Sequence, residues 1–100
     1  MVYTFTEKEK WEIVGYIKIS QMRYKTLKTI NDDYLMPKEI AEITGLTSAQ
    51  ISKCLASLKE KNLIYCVNEN LRKGRIYQTT ALGVEVLDML EGLGIQEDDS

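Results

Sequence analysis

The sequence predicts an α+β fold that is mostly α, with several short helices and one two-stranded hairpin. Apolar residues recur at helical spacing in successive segments, and these segments follow a Ser, Thr or Pro suited to a helix start. After Asn62 the apolar residues recur at every second position, as in a β-strand, and after Thr80 they return to helical spacing. The chain has 100 residues, 44% of them hydrophobic, which suffices for one domain with a small core.

The N-terminal segment predicts a capped amphipathic helix. Thr6 and Glu9 have the spacing of a capping box, so a helix should begin near Glu7. Three apolar residues then recur on one helical face: Trp11, Val14 and Ile17. Ser20 is a candidate for a second cap or for a bend, so residues 7–30 form either one long helix or two.

A loop and a short helix follow. Residues 31–34, NDDY, are strong turn formers and predict a loop. Pro37 suits the first turn of a helix over roughly residues 38–44. The residues expected to face inward from this helix are Ile40 and Ile43. Gly45 should end the helix in a left-handed conformation.

The next helix begins almost at once. Thr47 and Gln50 again have capping-box spacing, and Asn62 is a candidate terminator. The buried stripe should consist of residues at i, i+3, i+4 and i+7, namely Ile51, Cys54, Leu55 and Leu58. The opposite face is small and polar, then basic: Ser48, Ser52, Lys53, Ser57 and Lys59. Cys54 is therefore interpreted as a packing residue.

A hairpin and a final helix complete the chain. Residues 63–67 and 75–79 are rich in strand formers and flank the polar turn NENLRKG at 68–74. Thr80 is the next candidate cap. The apolar face of the last helix should consist of Leu82, Val86, Met89 and Leu90, with Val84 and Leu87 partly off the stripe. Residues 91–100, EGLGIQEDDS, are rich in glycine and acids and are expected to fray.

The short helix, the glycine turn and the second helix together form a helix-turn-helix motif. Such a turn braces the second helix, here residues 48–61, with its polar side outward. An α-helix has a width that fits the major groove of DNA. The spacing therefore predicts a protruding helix that can read duplex DNA.

The segment MPKEIAEITGLTSAQISKCLASLKEKNLIYCVNENLRKGRIYQTTALGVEVL resembles the core of winged helix-turn-helix regulators of the prokaryotic MarR/ArsR-like kind. The resemblance covers about residues 20–90. It departs from the family at Asn62, where glycine is usual, and in lacking a net basic charge. It implies a winged helix-turn-helix with a two-stranded β-hairpin wing and additional N- and C-terminal helices. The implied division is an N-terminal helix at 1–19, the core at 20–80, a C-terminal helix at 81–92 and an acidic tail at 93–100.

The resemblance also implies which residues meet DNA. The recognition helix at 48–61 would enter the major groove, and the wing at 68–75 would lie on the backbone or in the minor groove. The candidate contact residues are Lys38, Thr47, Ser48, Gln50, Lys53, Arg72, Lys73 and Arg75. Glutamine pairs with adenine, hydroxyls serve bases or phosphates, and cations serve phosphates. Two alternatives remain open: Thr47 acts as a cap alone, and Arg75 pairs with the Glu69 carboxylate.

The two terminal helices would form a homodimer interface, as they commonly do in this family. The candidate interface residues are Trp11, Val14, Ile17, Leu82, Val86 and Met89. Two copies would read both halves of a palindrome, whereas one module makes few base contacts. The alternative is that these faces pack on each other within one chain.

Composition excludes several other classes of function. Histidine is absent, and two cysteines alone cannot complete a zinc site, so no metal or cofactor is expected. No phosphate-binding loop or nucleophile motif is present, which argues against an enzyme. No signal or membrane-spanning segment is apparent, so a cytoplasmic location is expected. No small-molecule effector is indicated.

The charge pattern is compatible with two functions. The net charge is −2, but residues 1–79 hold all thirteen basic residues against nine acids and so carry +4. The sequence thus predicts a sequence-specific, double-stranded DNA-binding transcriptional regulator. The alternative is a winged-helix module that binds protein and not DNA.

Overall fold

The computed structural model describes residues 4–94. It contains five helices and one two-stranded sheet within this range. In chain order they are α1 (Glu7–Lys18), α2 (Gln21–Asp32), α3 (Pro37–Thr44), α4 (Ser48–Glu60), β1 (Ile64–Cys66), β2 (Tyr77–Thr79) and α5 (Ala81–Gly92). The mostly helical α+β prediction is confirmed. Within residues 4–94 no helix is both long and apolar enough to span a bilayer.

The N-terminal region forms two helices and not one. The capping box at Thr6 is confirmed, since its Oγ1 accepts from the Glu9 amide at 3.1 Å. Ser20 then adopts an extended conformation, and its Oγ accepts from the Arg23 amide at 3.3 Å. This serine therefore starts α2 as a separate helix.

The loop after α2 is shorter than predicted. Asn31 and Asp32 belong to the last turn of α2, so the prediction of a loop over 31–34 is wrong in its first half. The amide of Asp33 donates to the Ile30 carbonyl at 3.3 Å and closes the helix. Burial of Ile30 in the core holds this turn in place despite its turn-forming side chains.

Helix α3 begins at Pro37 and presents a different face from the one predicted. Ile40 is buried, but Ile43 is 63% exposed, so the inward placement of Ile43 is wrong. The inward stripe runs at i, i+3, i+4 and i+7 through Pro37, Ile40, Ala41 and Thr44, and Ile43 lies off it. Gly45 ends the helix at φ +77°, as predicted.

Helix α4 has the predicted boundaries and the predicted buried stripe. Ile51, Cys54, Leu55 and Leu58 are all buried. Asn62 follows the helix with φ +61°, a left-handed conformation that asparagine tolerates better than most residues. Asparagine thus fills the position where the resemblance leads one to expect glycine.

The hairpin is antiparallel, with Ile64 opposite Thr79 and Cys66 opposite Tyr77. Both strands are shorter than predicted. The other edge of β2 carries an isolated β-bridge that the sequence did not reveal. Leu35 pairs there with Tyr77 through backbone hydrogen bonds of 3.4 and 2.9 Å. The segment between α2 and α3 is thereby tied to the root of the wing.

Helix α5 follows its predicted cap, since the Thr80 Oγ1 accepts from the Gly83 amide at 3.0 Å. Leu87 is buried with Val86 and Leu90, so its predicted position off the stripe is wrong. Gly83 lies against the chain entering β1: a Cβ built there would lie 2.3 Å from the Leu63 carbonyl oxygen. Residues 95–100 of the expected acidic tail lie outside the described residues.

The terminal helices α1 and α5 pack on each other within one chain. Lys10 on α1 and Glu85 on α5 form an ion pair at 2.8 Å. Val14, Ile17 and Val86 are buried, at 2%, 0% and 0% exposure. They were predicted as contacts to a second copy, and this is corrected, because a side chain with no accessible surface cannot reach a partner. Trp11 is exposed, while Leu82 and Met89 are half-buried.

Candidate nucleic-acid interface

The N-terminal half of α4 has an exposed polar side. Ser48 and Lys53 are exposed, as predicted. Three further small residues share this surface and were not among the predicted contacts: Ala49, Ser52 and Ala56. They stand opposite the buried stripe, and that spacing is the sequence signal that could have identified them. Small side chains allow the helix backbone to approach a partner closely.

Thr47 and Gln50 are engaged with each other at the start of α4. Thr47 Oγ1 accepts from the Gln50 amide at 3.2 Å, and Gln50 Oε1 accepts from the Thr47 amide at 2.9 Å. The side chain of Gln50 is half-buried. Its amide oxygen already serves as an acceptor, so bidentate pairing with adenine would compete with the cap.

Four exposed cations lie on α4, on the helix before it and on the wing. Lys38 lies in the first turn of α3, Lys53 lies on α4, and Arg72 and Lys73 lie in the loop between β1 and β2. None of the four has a hydrogen-bond or ion-pair partner among residues 4–94. Their charges are therefore available to a polyanion.

Arg75, the remaining predicted contact, points into its own loop. Its Nε donates to the Leu71 carbonyl at 2.6 Å, and its Nη2 donates to the Glu69 carbonyl at 3.1 Å. The alternative that Arg75 pairs with the Glu69 carboxylate is wrong, because that carboxylate binds Lys59. The guanidinium binds backbone oxygens of the loop and not its side chains.

Lys59, on the last turn of α4, forms an ion pair with Glu69 of the loop. The hydrogen bond to Glu69 raises the pKa of the Lys59 ammonium above its ordinary value. The same bond lowers the pKa of the Glu69 carboxyl. Both side chains are exposed, so the pair joins α4 to the wing at the surface and not in the core.

A groove of about 310 Å³ separates α4 from the wing. Ser52 and Ala56 line it from α4, and Arg75 and Tyr77 line it from the hairpin side. Lys59 lies at the same groove, so the helix and the ribbon form two sides of a continuous surface.

Arg23 is not available for binding, although it lines a second cleft together with Lys53. Its Nη1 donates to the Tyr16 carbonyl at 2.7 Å, and its guanidinium lies 3.9 Å from the centroid of the Tyr16 ring. It fastens α1 to α2. Cys54 and Cys66 are both buried free thiols, so the interpretation of Cys54 as a packing residue is confirmed.

Comparison with known proteins identifies the fold. No protein-family model and no curated protein matches the sequence. Among solved structures, TubR of Bacillus thuringiensis serovar israelensis, bound to 24 bp of tubC from pBtoxis, aligns with a TM-score of 0.74 at 22% identity, over 92% of this chain and 99% of that one. A type III plasmid segregation TubR aligns with a TM-score of 0.77 at 18% identity, over 98% and 97%.

Two further structures have the same fold in longer chains. The MepR–DNA complex of S. aureus aligns with a TM-score of 0.67 at 21% identity, over 87% of this chain and 74% of that one. The oxidised form of MarR from E. coli aligns with a TM-score of 0.64 at 13% identity, over 91% and 75%. The chain therefore has the winged helix-turn-helix fold of TubR, MepR and MarR, as its sequence predicted.

Proposed function

We propose that this protein is a sequence-specific regulator that binds double-stranded DNA, with α4 in the major groove and the wing on the flanking backbone or minor groove. The observation that carries the proposal is the exposed polar face of α4, together with four exposed cations that have no partner among the described residues: Lys38, Lys53, Arg72 and Lys73. A helix with an exposed polar face and unpaired cations on the neighbouring elements suits a groove between two phosphate strands. Two proteins with this fold, TubR and MepR, have structures in complex with DNA.

The contacts divide by chemistry. Ser48 and Ser52 would meet base edges or phosphates from the outward face of α4. Lys53 and Lys38 would meet phosphates, and Arg72 and Lys73 would do so from the wing. Thr47 would serve as the cap of α4, and Gln50 would reach a base only through its free amide donors.

The protein would act as a homodimer. Trp11 on α1 exposes 47% of its surface, and Leu82 and Met89 on α5 are partly accessible. These three remain the proposed contacts between copies. A two-fold pair would place two copies of α4 on two half-sites and double the number of base contacts. The setting would be the cytoplasm, where the chromosome lies, and the activity would be binding and not catalysis.

A second candidate function is DNA segregation. The two TubR chains match this chain over almost their full length, whereas MepR and MarR extend well beyond it. A segregation protein would use the same α4 surface on a centromere-like site. Deleting its gene would cause loss of the DNA molecule that carries the site, without a change in transcription from it.

Selection of bound fragments from a random duplex library at moderate salt tests the proposal. A recovered palindrome is expected, with half-sites about one helical turn apart. Recovery of nothing above the level of a bead control would contradict the proposal and favour the protein-binding module. A transcription assay and a plasmid-retention assay with the recovered site then separate regulation from segregation.

A further inference from the structure

We propose that Asn68 and Arg75 are positioning residues that hold the wing loop, residues 69–74, in the shape that presents Arg72 and Lys73 to DNA, and that Arg75 itself does not bind phosphate. The inference rests on the proposed function, because it assigns roles within the same DNA-binding surface. It changes the role of Arg75 from a contact to a brace.

Asn68 closes the base of the loop through both ends of its amide group. Its Oδ1 accepts from the Ile76 amide at 2.8 Å, and its Nδ2 donates to the Gly74 carbonyl at 3.0 Å. The backbone pair from the Val67 amide to the Ile76 carbonyl, at 2.8 Å, lies just beneath. The side chain of Asn68 thus extends the ladder of the hairpin by one step where the strands have already separated.

Arg75 braces the interior of the same loop. Its guanidinium donates to the carbonyls of Leu71 and Glu69, on the opposite limb. A guanidinium carries five donors in a planar fork, so it can bind two carbonyls at once, which an ammonium on a flexible stem does less well. Gly74 completes the turn at φ +70°. Arg72 and Lys73 lie between these two braces with free side chains.

The energetic consequence follows from loop entropy. A free loop would have to be ordered when its cations dock, and that cost would weaken binding. A loop already fixed by Asn68 and Arg75 presents two charges in a defined place. Lys59 and Glu69 add a third tie, from the loop to α4, which sets the wing relative to the recognition helix.

The test uses charge-neutral and charge-preserving variants of the full chain. Asn68→Ala removes the first brace, and the matched control Asn70→Ala removes an exposed asparagine that has no hydrogen-bond partner among the described residues. Arg75→Lys keeps the charge but loses the two-carbonyl brace. Binding to a mixed-sequence duplex is measured by fluorescence anisotropy across a salt series, with amide hydrogen exchange of the unbound protein.

We expect Asn68→Ala and Arg75→Lys to weaken binding on the order of tenfold, and the control Asn70→Ala to stay within roughly twofold. Exchange at the Ile76 amide should accelerate in Asn68→Ala while the amides of α4 keep their protection. In an Arg72→Ala/Lys73→Ala background, Asn68→Ala should cause no further loss, because no cations remain to be positioned. A merely structural defect would instead weaken binding equally in both backgrounds.

Other results would overturn the inference. Losses that add fully in the triple variant would show that Asn68 acts elsewhere. Full affinity in Arg75→Lys would show that the charge, and not the brace, matters at that position. Accelerated exchange with unchanged affinity in Asn68→Ala would refute positioning while leaving DNA binding intact. If the unaltered protein bound no duplex, the proposed function would fail as well, and the exchange data would separate that failure from the loss of the brace.

Discussion

The ammonium group of Lys59, at the end of α4, donates a hydrogen bond to the carboxylate of Glu69 in the wing. The two residues are ten positions apart and belong to the two elements that would grip DNA from different sides. Lys59 also lines the groove between α4 and the hairpin. The relative placement of helix and wing is thus set partly by a surface ion pair.

This ion pair should persist across the neutral pH range. The pKa of Glu69 is lowered, so its contribution to stability is present above the ordinary carboxyl value of 4.5 and is lost as pH falls through the lower folded value. The pKa of Lys59 is raised, so its contribution is present below 10.5 and is lost as pH rises through the higher folded value. Amide exchange of the wing should therefore show, after correction for the intrinsic rate, no change in protection between about pH 6 and pH 9. A change of protection inside that window would contradict the assignment, and Glu69→Gln is the control that should remove the response at acid pH.

The salt dependence of duplex binding should show which of the unpaired cations contact phosphates. Arg72→Ala combined with Lys73→Ala should reduce the slope of log K against log salt by about 2, and Lys53→Ala should reduce it by about 1. The reason is that each cation that neutralises a phosphate releases condensed counterions. Lys8, exposed on the first turn of α1, is the matched control, and Lys8→Ala should leave the slope unchanged. Equal slopes for the Lys8 and Lys53 variants would remove Lys53 from the interface.

Gly83 should tolerate no side chain. A Cβ there would lie 2.3 Å from the Leu63 carbonyl oxygen and 2.4 Å from the Thr79 methyl group, so Gly83→Ala should destabilise the fold by about 1–3 kcal/mol. Gly92 lies on the same helix, and a Cβ there meets nothing within 4 Å. Gly92→Ala should therefore stabilise by up to roughly 1 kcal/mol, since alanine is the better helix former. Urea denaturation measures both, and equal midpoints for the two variants would contradict the packing at Gly83.

Trp11 should contribute to a dimer without contributing much to the fold. It is exposed on α1 while its neighbours Val14 and Ile17 are buried, so Trp11→Ser should weaken self-association and leave the melting temperature nearly unchanged. Ile19, at the end of α1, is still more exposed and was not predicted as a contact. Ile19→Ser is therefore the control and should keep the dimer. Sedimentation equilibrium distinguishes the two variants, and a tight dimer in Trp11→Ser would move the interface elsewhere.

The sequence by itself determined where α1, α4 and α5 begin and where α3 and α4 end. The caps at Thr6, Thr47 and Thr80 depend on residues three positions apart, and the left-handed turns at Gly45 and Asn62 depend on local sterics. The buried stripe of α4 follows from spacing alone. Such features are local, so they can be predicted without knowledge of the neighbours.

Only the tertiary structure decided which apolar and charged groups remain free. Val14, Ile17 and Val86 had the pattern of an interface, yet they are covered by their own chain, while Ile43 is uncovered. Arg75 was predicted as a DNA contact because it is a cation in the wing, yet its guanidinium binds the carbonyls of its own loop. The physical reason is that periodicity defines a face but not what packs against it, and a cation's charge does not specify whether its donors are already taken.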